Sequence, residues 1–179
     1  MYKDILREKY KKIRKNINKE ESINIINKLF ECDLYKKSDA LFIYVSINDE
    51  VDTHFLIKEA LKEKTVLVPY CISGTNDMYP VKIESFDDLK VGSFNILEPK
   101  KVTEYKGKID LSIVPGIVFS KSGHRLGYGK GFYDKFLKEH SCVKIGLSYD
   151  ELVVNDLPYN DLDVKMDMIF TGRKEYIIK

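Results

Sequence analysis

The most chemically informative stretch of the sequence is a glycine-rich segment in its second half. Four of the 10 glycines fall within nine consecutive positions, at Gly123, Gly127, Gly129 and Gly131. Arg125 and Lys130 lie among them, and a helical pattern begins at Phe132. Glycine lets backbone amides approach a ligand closely, and the start of a helix attracts negative charge. We therefore predict that residues 123–131, here called the glycine loop, bind phosphate, with Lys130 as a mobile charge and Arg125 as a planar fork.

The spacing of the glycines excludes two common phosphate-binding motifs. A Walker A motif has Ser or Thr after its lysine, but Gly131 follows Lys130, and no glycine lies five residues before Gly129. A dinucleotide fingerprint has another spacing and follows the first strand, whereas this loop comes late in the chain. The remaining alternative is a flexible surface loop, which does not explain why basic and tyrosine side chains alternate with the glycines.

Three acidic residues could complete such a site. Asp134 closes the loop, and Asp163 and Asp167 stand in a polar segment before the last apolar strand pattern. Carboxylates repel phosphate unless a cation lies between them, and Mg²⁺ binds through one or two carboxylates while it keeps several waters. The acids are therefore either magnesium ligands or solvated and helix-capping side chains.

The pattern of apolar residues predicts the elements that position these groups. Two amphipathic helices open the chain, over residues 3–17 and 23–30, and further helices are predicted at 53–64 and 132–139. Apolar runs predict strands at 40–45, 66–68, 78–83, 109–114, 143–147 and 168–171. Helices that alternate with such runs are typical of an α/β fold with a mostly parallel central sheet flanked by helices. No linker divides the chain, so we predict one domain over residues 1–179.

Composition and charge limit the classes of function. The 179 residues are 44% hydrophobic and carry a net charge of +2, which argues against a general nucleic-acid or membrane-surface binder. Residues 1–20 nevertheless hold eight basic and three acidic residues, either as a solvated helix face or as part of an anion site. The three cysteines lack disulfide or zinc spacing, and no apolar run reaches the ~20 residues that cross a bilayer. We predict a cytoplasmic monomer that binds neither membranes nor nucleic acid.

The glycine loop belongs to a longer block that resembles the 5-formyltetrahydrofolate cyclo-ligase family, also called 5,10-methenyltetrahydrofolate synthetase. The family signature Arg-Leu-Gly-x-Gly-x-Gly-Tyr-Tyr-Asp is matched by residues 125–134, behind a Pro-Gly-x-x-Phe strand end at 115–119. Shorter matches run along almost the whole chain: Lys-x-x-x-Arg at 3–7, Ser-x-x-x-Glu at 46–50, Glu-Pro at 98–99, Leu-Pro at 157–158 and Asp-x-x-x-Asp at 163–167.

The resemblance implies a three-layer α/β enzyme that uses ATP and Mg²⁺ to convert 5-formyltetrahydrofolate to 5,10-methenyltetrahydrofolate, with release of ADP and phosphate. It implies ATP contacts at Lys3, Arg7, Arg125, Leu126, Gly127, Tyr128, Gly129, Lys130, Gly131, Phe132 and Tyr133. It implies folate contacts at Val45, Glu50, Tyr128, Gly129, Lys130, Gly131 and Phe132. The implied metal ligands are Asp134 and Asp163, and we expect Lys130 and Arg125 to carry the catalytic charge.

In the family's reaction scheme, the γ-phosphoryl group passes to the formyl oxygen, N10 of the folate attacks the formyl carbon, and phosphate leaves. Phosphoryl transfer depends mainly on positioning and charge neutralisation, so no protein nucleophile is needed. Two residues depart from the family pattern: Phe132 replaces a more frequent Tyr, and Phe94 a common Trp. Both changes affect folate packing and leave the charges intact.

Two other functions compete with this interpretation. One is a different ATP-dependent phosphotransferase on a similar α/β scaffold, because a fold alone does not determine function. The other is a nucleic-acid-binding module built on the first helix, where Tyr10 lies among Lys9, Lys11, Lys12, Arg14 and Lys15. The near-neutral total charge argues against the second.

Overall fold

Helices and strands alternate along most of the chain, as the apolar pattern predicts. The computed structural model describes residues 2–92 and 96–178. Its helices are α1 (Tyr2–Lys15), α2 (Glu21–Glu31), α3 (Asp33–Lys37), α4 (His54–Ala60) and α5 (Phe132–Glu139). Its strands are β1 (Ala40–Ile43), β2 (Thr65–Cys71), β3 (Met78–Ile83), β4 (Leu89–Val91), β5 (Leu97–Pro99), β6 (Leu111–Val114), β7 (Val118–Ser120), β8 (Arg125–Leu126), β9 (Val143–Leu147), β10 (Val153–Val154), β11 (Met168–Phe170) and β12 (Glu175–Ile177). Single 3₁₀ turns lie at Phe86–Asp88 and Asp150–Leu152.

A seven-stranded sheet forms the centre, in the order β12-β11-β9-β6-β1-β2-β3. The five strands from β11 to β2 pair in parallel, and β12 and β3 add antiparallel edges. β1 lies between two partners, and its four side chains are all buried. A strand covered on both faces reads as a continuous apolar run, which explains the pattern at its start. The predicted mostly parallel sheet is confirmed.

The two faces of the sheet pack against different helices, because successive side chains of a strand point to opposite faces. Leu41 and Ile43 join the core beneath α2 and α4. Phe42 belongs to the second core, where it stacks on Phe136 of α5 with ring centroids 4.3 Å apart. The result is the predicted three-layer arrangement. One face of α1 lies toward the glycine loop, where Arg7 donates a hydrogen bond to Gly127 O.

The structure adds elements that periodicity does not reveal. β10, β7 and β8 form a second sheet, and β4 pairs with β5. Strands of two or three residues are too short to show an apolar pattern. Arg125 and Leu126 were expected in a loop. They form β8, which lies within the first half of the glycine loop and pairs it with β7. Predicted ends also shift: the helix at 53–64 covers His54–Ala60, and Phe94 lies outside the described residues.

In the part of the chain that the structure describes, no helix combines the length and apolar character needed to cross a bilayer. The single domain over residues 1–179, the cytoplasmic location and the monomeric state stay predictions.

Candidate active site

After β8, the rest of the glycine loop leads into α5 through a sharp turn. Gly129 and Gly131 have φ values of 86° and 75°, a left-handed conformation that side chains disfavour. Gly131 directly precedes the first turn of α5. The loop and the first turn of this helix line a cleft of about 640 Å³. Three glycines and a helix start therefore border the same space, an arrangement typical of anion sites.

The cleft collects basic side chains from distant parts of the sequence. They come from α1, β8, the glycine loop and α5: Lys3, Arg7, Arg125, Lys130, Lys135 and Lys138. Lys130 is exposed and forms no hydrogen bond or ion pair with any residue in 2–92 and 96–178. A free ammonium group at the mouth of a basic cleft can meet a polyanionic ligand.

The first helix holds the glycine loop in place. Arg7 Nε donates a hydrogen bond to Gly127 O at 2.8 Å, and Arg7 also pairs with Asp4 at 2.6 Å. A Cβ atom on Gly129 would lie 3.0 Å from the guanidinium carbon of Arg7, so the end of the Arg7 side chain would have to shift by a few tenths of an ångström to admit a side chain there. Arg7 thus covers the loop backbone and keeps part of its charge in the cleft.

The two predicted metal ligands line the cleft, and each is oriented by partners. Asp134 Oδ1 accepts a hydrogen bond from Val164 N at 3.0 Å and lies 3.1 Å from Arg125 Nη2. Asp163 Oδ2 lies 2.7 Å from Lys3 Nζ and accepts a hydrogen bond from the Asn160 amide at 2.9 Å. Burial raises the pKa of Asp163, but its hydrogen bonds with Lys3 and Asn160 outweigh this effect and lower the pKa overall. This carboxylate is ionised at neutral pH.

The donor set fits Mg²⁺ bound together with a phosphate ligand. No group of three or more candidate ligands occurs in the described ranges. The contacts above use Oδ1 of Asp134 and Oδ2 of Asp163, which leaves one oxygen of each free of described partners. Mg²⁺ needs only one or two carboxylates when phosphate and water complete its octahedron. Asp167 is different, because it accepts the Lys144 amide at 2.7 Å, pairs with Lys144 Nζ at 2.9 Å and lies outside the cleft lining.

Arg125 is buried, with 5% of its side chain exposed. It donates to Val164 O at 3.0 Å and pairs with Asp134. Burial lowers the pKa of Arg125 and the charge of Asp134 opposes that shift, but a guanidinium stays protonated in either case. Its guanidinium thus holds an acid of the cleft, whereas the role of Lys130 as a mobile charge stays a prediction.

A second polar site lies behind the loop, around Glu50, which is 8% exposed. Its Oε2 accepts the Ile47 amide at 2.9 Å, and its Oε1 accepts the hydroxyl group of Tyr128 at 2.9 Å. Arg14 Nη2 donates to the same hydroxyl oxygen at 2.8 Å. Burial raises the pKa of Glu50 above its usual value, and the Ile47 amide, Tyr128 and Arg14 oppose this shift without cancelling it. Tyr128 lines the cleft as well, so one side chain joins the two sites.

Most of the predicted site residues line the cleft, but Glu50 and Val45 do not. Lys3, Arg7 and the segment from Arg125 to Asp134 line the cleft, together with Asp163. Val45 is 7% exposed in the core and lines neither the cleft nor the cavity beside Glu50.

Sequence reasoning missed three basic residues of this region. Lys135 and Lys138 are spaced three apart and face the cleft from α5, a spacing that signals a shared helix face. Lys135 is paired with Asp77, and Lys138 donates to Asp161 O at 3.2 Å. Arg14 was hidden in a run of basic residues, and nothing in the sequence distinguishes it from its exposed neighbours.

Fold and site together define a class: a three-layer α/β protein in which a glycine loop, basic side chains and two carboxylates line one cleft. A sequence model described as the 5-formyltetrahydrofolate cyclo-ligase family matches residues 2–172. The probable 5-formyltetrahydrofolate cyclo-ligase of Caenorhabditis elegans is 31% identical over 191 residues, which cover 95% of this chain and 93% of the relative. The 5-formyltetrahydrofolate cyclo-ligase of Mus musculus is 30% identical, with 83% and 81% covered.

Solved structures agree with these sequence matches. The 5,10-methenyltetrahydrofolate synthetase of Aquifex aeolicus has a TM-score of 0.88 and 33% identity, and the match covers 100% of this chain and 94% of that one. The synthetase of Mycoplasma pneumoniae has a TM-score of 0.71 and 25% identity, with 94% and 98% covered. The chain belongs to the 5-formyltetrahydrofolate cyclo-ligase family and is a ligase of that family. The predicted family and fold class are confirmed.

Proposed function

We propose that this protein uses ATP and Mg²⁺ to cyclise 5-formyltetrahydrofolate to 5,10-methenyltetrahydrofolate, with release of ADP and phosphate. The observation that carries the proposal is the cleft of about 640 Å³, which combines a glycine loop, the free Lys130 and two carboxylates. Tyr128 joins this cleft to the buried Glu50. A phosphate site and a second polar site in direct contact are what a reaction between ATP and a polar ring compound needs.

The reaction requires activation of the formyl oxygen. Direct ring closure would expel hydroxide, which is a poor leaving group. In the proposed sequence the formyl oxygen attacks the γ-phosphorus and ADP leaves, giving an iminium phosphate. N10 then attacks the formyl carbon and loses its proton, and the C–O bond breaks to release inorganic phosphate and form the methenyl bridge. This sequence of steps needs no protein nucleophile, so a site that positions the substrates and neutralises charge is sufficient for it.

The roles on the ATP side follow from the contacts. Lys3, Arg7 and the loop from Leu126 to Tyr133 would bind the nucleotide, because their charges and amides line the cleft. Lys130 would neutralise charge on the transferred phosphoryl group, since its ammonium group is not used by the described residues. Arg125 would act by holding Asp134.

Asp134 and Asp163 would hold Mg²⁺ through the oxygens that the protein leaves free. When bound, this ion would neutralise the phosphate oxygens of ATP. Lys3 contributes here as well, because its 2.7 Å contact orients the carboxylate of Asp163.

The roles on the folate side rest on Glu50 and on the face of the loop near it. An ionised carboxylate has about four acceptor sites, and Ile47 and Tyr128 use two of them. The remaining sites can accept N–H groups from the folate ring, as pockets for flat ligands typically provide a few placed polar groups. Gly129, Lys130, Gly131 and Phe132 would line the path between the substrates. Val45 borders neither the cleft nor the cavity beside Glu50, so no direct folate contact is proposed for it.

The test is to mix purified protein with 5-formyltetrahydrofolate and MgATP and to follow the near-ultraviolet absorption of the methenyl product. We expect the signal to require both ATP and Mg²⁺, with one ADP and one phosphate released for each product formed. Omission of ATP and chelation of the metal are the controls. ATP turnover that folate does not alter, without methenyl formation, would instead support a different phosphotransferase.

A further inference from the structure

We propose that Arg14 is a positioning residue for the folate site, which acts through the hydroxyl group of Tyr128 to keep Glu50 a charged and oriented acceptor. The inference rests on the proposed function. Arg14 does not line the cleft, so this role is indirect and distinct from ATP binding.

The direction of each hydrogen bond in the chain Arg14–Tyr128–Glu50 follows from chemistry. A guanidinium group can only donate, so the Tyr128 oxygen accepts from Arg14 Nη2 at 2.8 Å. The single hydroxyl proton of Tyr128 is then free to point to Glu50 Oε1 at 2.9 Å. Arg14 Nη1 donates to Gly116 O at 3.3 Å, which holds the guanidinium in this orientation. In this arrangement both carboxyl oxygens of Glu50 accept hydrogen bonds, from Tyr128 and from the Ile47 amide, as the oxygens of an ionised carboxylate do.

The charges around Glu50 favour the same conclusion. Arg14 is 4% exposed and has no direct carboxylate partner within residues 2–92 and 96–178. A buried cation and a buried carboxylate are each costly alone and compensate each other when they are linked by hydrogen bonds. Tyr128 provides that link, because its hydroxyl group contacts both.

The other titratable groups near Glu50 are neutral or already paired. They are Tyr44 after β1, Tyr133 of α5, Tyr149 after β9, and Asp49, which pairs with Lys19. Burial raises the pKa of Tyr44 and of Tyr133 well above the usual value, and it raises the pKa of Tyr128 to about 12. Among the residues described, Arg14 is therefore the cation that favours ionised Glu50.

A second observation indicates that this corner is built to receive a polar group. Arg14 Nε is buried without a hydrogen-bond partner in the described part of the chain. Arg14 and Glu50 both border a cavity of about 10 Å³, together with Tyr44, Pro115 and Tyr149. A cavity of this size holds about one water molecule, so the unused donor of Arg14 and the unused acceptor sites of Glu50 can meet one small polar group there.

The test compares Arg14→Met with Lys15→Met, an exposed charge removal on the same helix. Loss of Arg14 raises the pKa of Glu50 further, so Glu50 becomes protonated at a higher pH and loses charge-assisted acceptance. We expect the KM for 5-formyltetrahydrofolate to rise about tenfold near pH 6.5 and the defect to shrink toward about pH 9. The KM for ATP should stay within about twofold of the wild-type value, and Lys15→Met should behave as wild type.

Two further variants keep the test independent of folding defects. Tyr128→Phe removes only the linking hydroxyl group, and we expect the same pH-dependent rise in the folate KM. Arg14→Lys restores the charge without the planar fork and should recover part of the affinity. Binding of 5-formyltetrahydrofolate without ATP, followed by calorimetry over the same pH range, gives a readout that does not need turnover. Thermal unfolding checks that each variant is folded.

The outcomes separate this inference from the proposed function. A wild-type protein that forms no methenyl product overturns both. An active wild type with a folded Arg14→Met variant whose folate KM is unchanged, or is raised equally at every pH, overturns the role of Arg14 alone. An equal rise in the KM for ATP would also overturn it, because it would indicate a general displacement of the glycine loop.

Discussion

Lys130 is exposed in the glycine loop, and its ammonium group contacts none of the residues that the structure describes. We predict that Lys130→Met lowers kcat about 10²–10³-fold, the loss typical when one preorganised donor to a developing charge is removed. This loss corresponds to about 2.7–4 kcal/mol of transition-state stabilisation. The free energy of unfolding should change by less than about 0.5 kcal/mol, because no contact within the described protein disappears.

The methenyl absorbance assay measures kcat, and urea unfolding measures stability. Lys90→Met is the matched control, since Lys90 is an exposed lysine on β4 that does not line the cleft. Lys130→Arg keeps the positive charge and should recover part of the lost kcat. A folded Lys130→Met variant with kcat within about threefold of wild type would refute the reasoning, because the charge would then not act in the transition state.

Three further predictions concern the loop, the core and the acids. Gly129 has a φ of 86° and lies beside the Arg7 guanidinium. Gly129→Ala should therefore lower the free energy of unfolding by about 1–3 kcal/mol and raise the KM for ATP. Wild-type values for both quantities would contradict this prediction. Phe119→Ala empties a fully buried site and should cost about 3–5 kcal/mol in urea unfolding, whereas a cost below about 1 kcal/mol would mean that the core refills. Burial raises the pKa of Asp163, but its hydrogen bonds with Lys3 and Asn160 and the nearby positive charges together lower it. The charge of Asp163 therefore stabilises the fold above its unfolded pKa of about 3.9, and this contribution is lost as pH falls through the lower folded pKa. Asp163→Asn should thus destabilise the protein most near neutral pH and match wild type in acid, and an equal loss of stability at every pH would disagree.

The central strands of the main sheet could be predicted because they are largely buried on both faces, whereas the exposed edge strand β12 was not predicted. β1, β6 and β9 each form an apolar run that stands out against charged surroundings, and a parallel strand needs such a run. β7 and β8 could not be predicted in this way, because they have three and two residues and no room for a period. Their pairing nevertheless decides where Arg125 lies, since β8 places it opposite Phe119 of β7.

Part of the candidate site could likewise be predicted from the sequence, and part depends on the fold. The loop chemistry is local, so glycines, a lysine and a helix start within a few positions predict an anion site. The residue types alone grouped Asp134 and Asp163 with Asp167, and the family resemblance implied only the first two as metal ligands. The packing shows what Asp167 does instead, because it joins β9 to β11 through Lys144. Proximity in sequence does not indicate which oxygens face a cleft.

By itself the sequence determined the alternation of helices and buried strands and the resemblance to a family, and it predicted an anion site at the glycine loop, because each depends on residues that are neighbours along the chain. The tertiary structure decided which distant groups cooperate. Lys3 meets Asp163 across 160 positions, and Tyr128 meets Glu50 across 78 and Arg14 across 114. Such contacts depend on strand order and on the packing of α1 against the loop, and no local pattern of side chains records either of them.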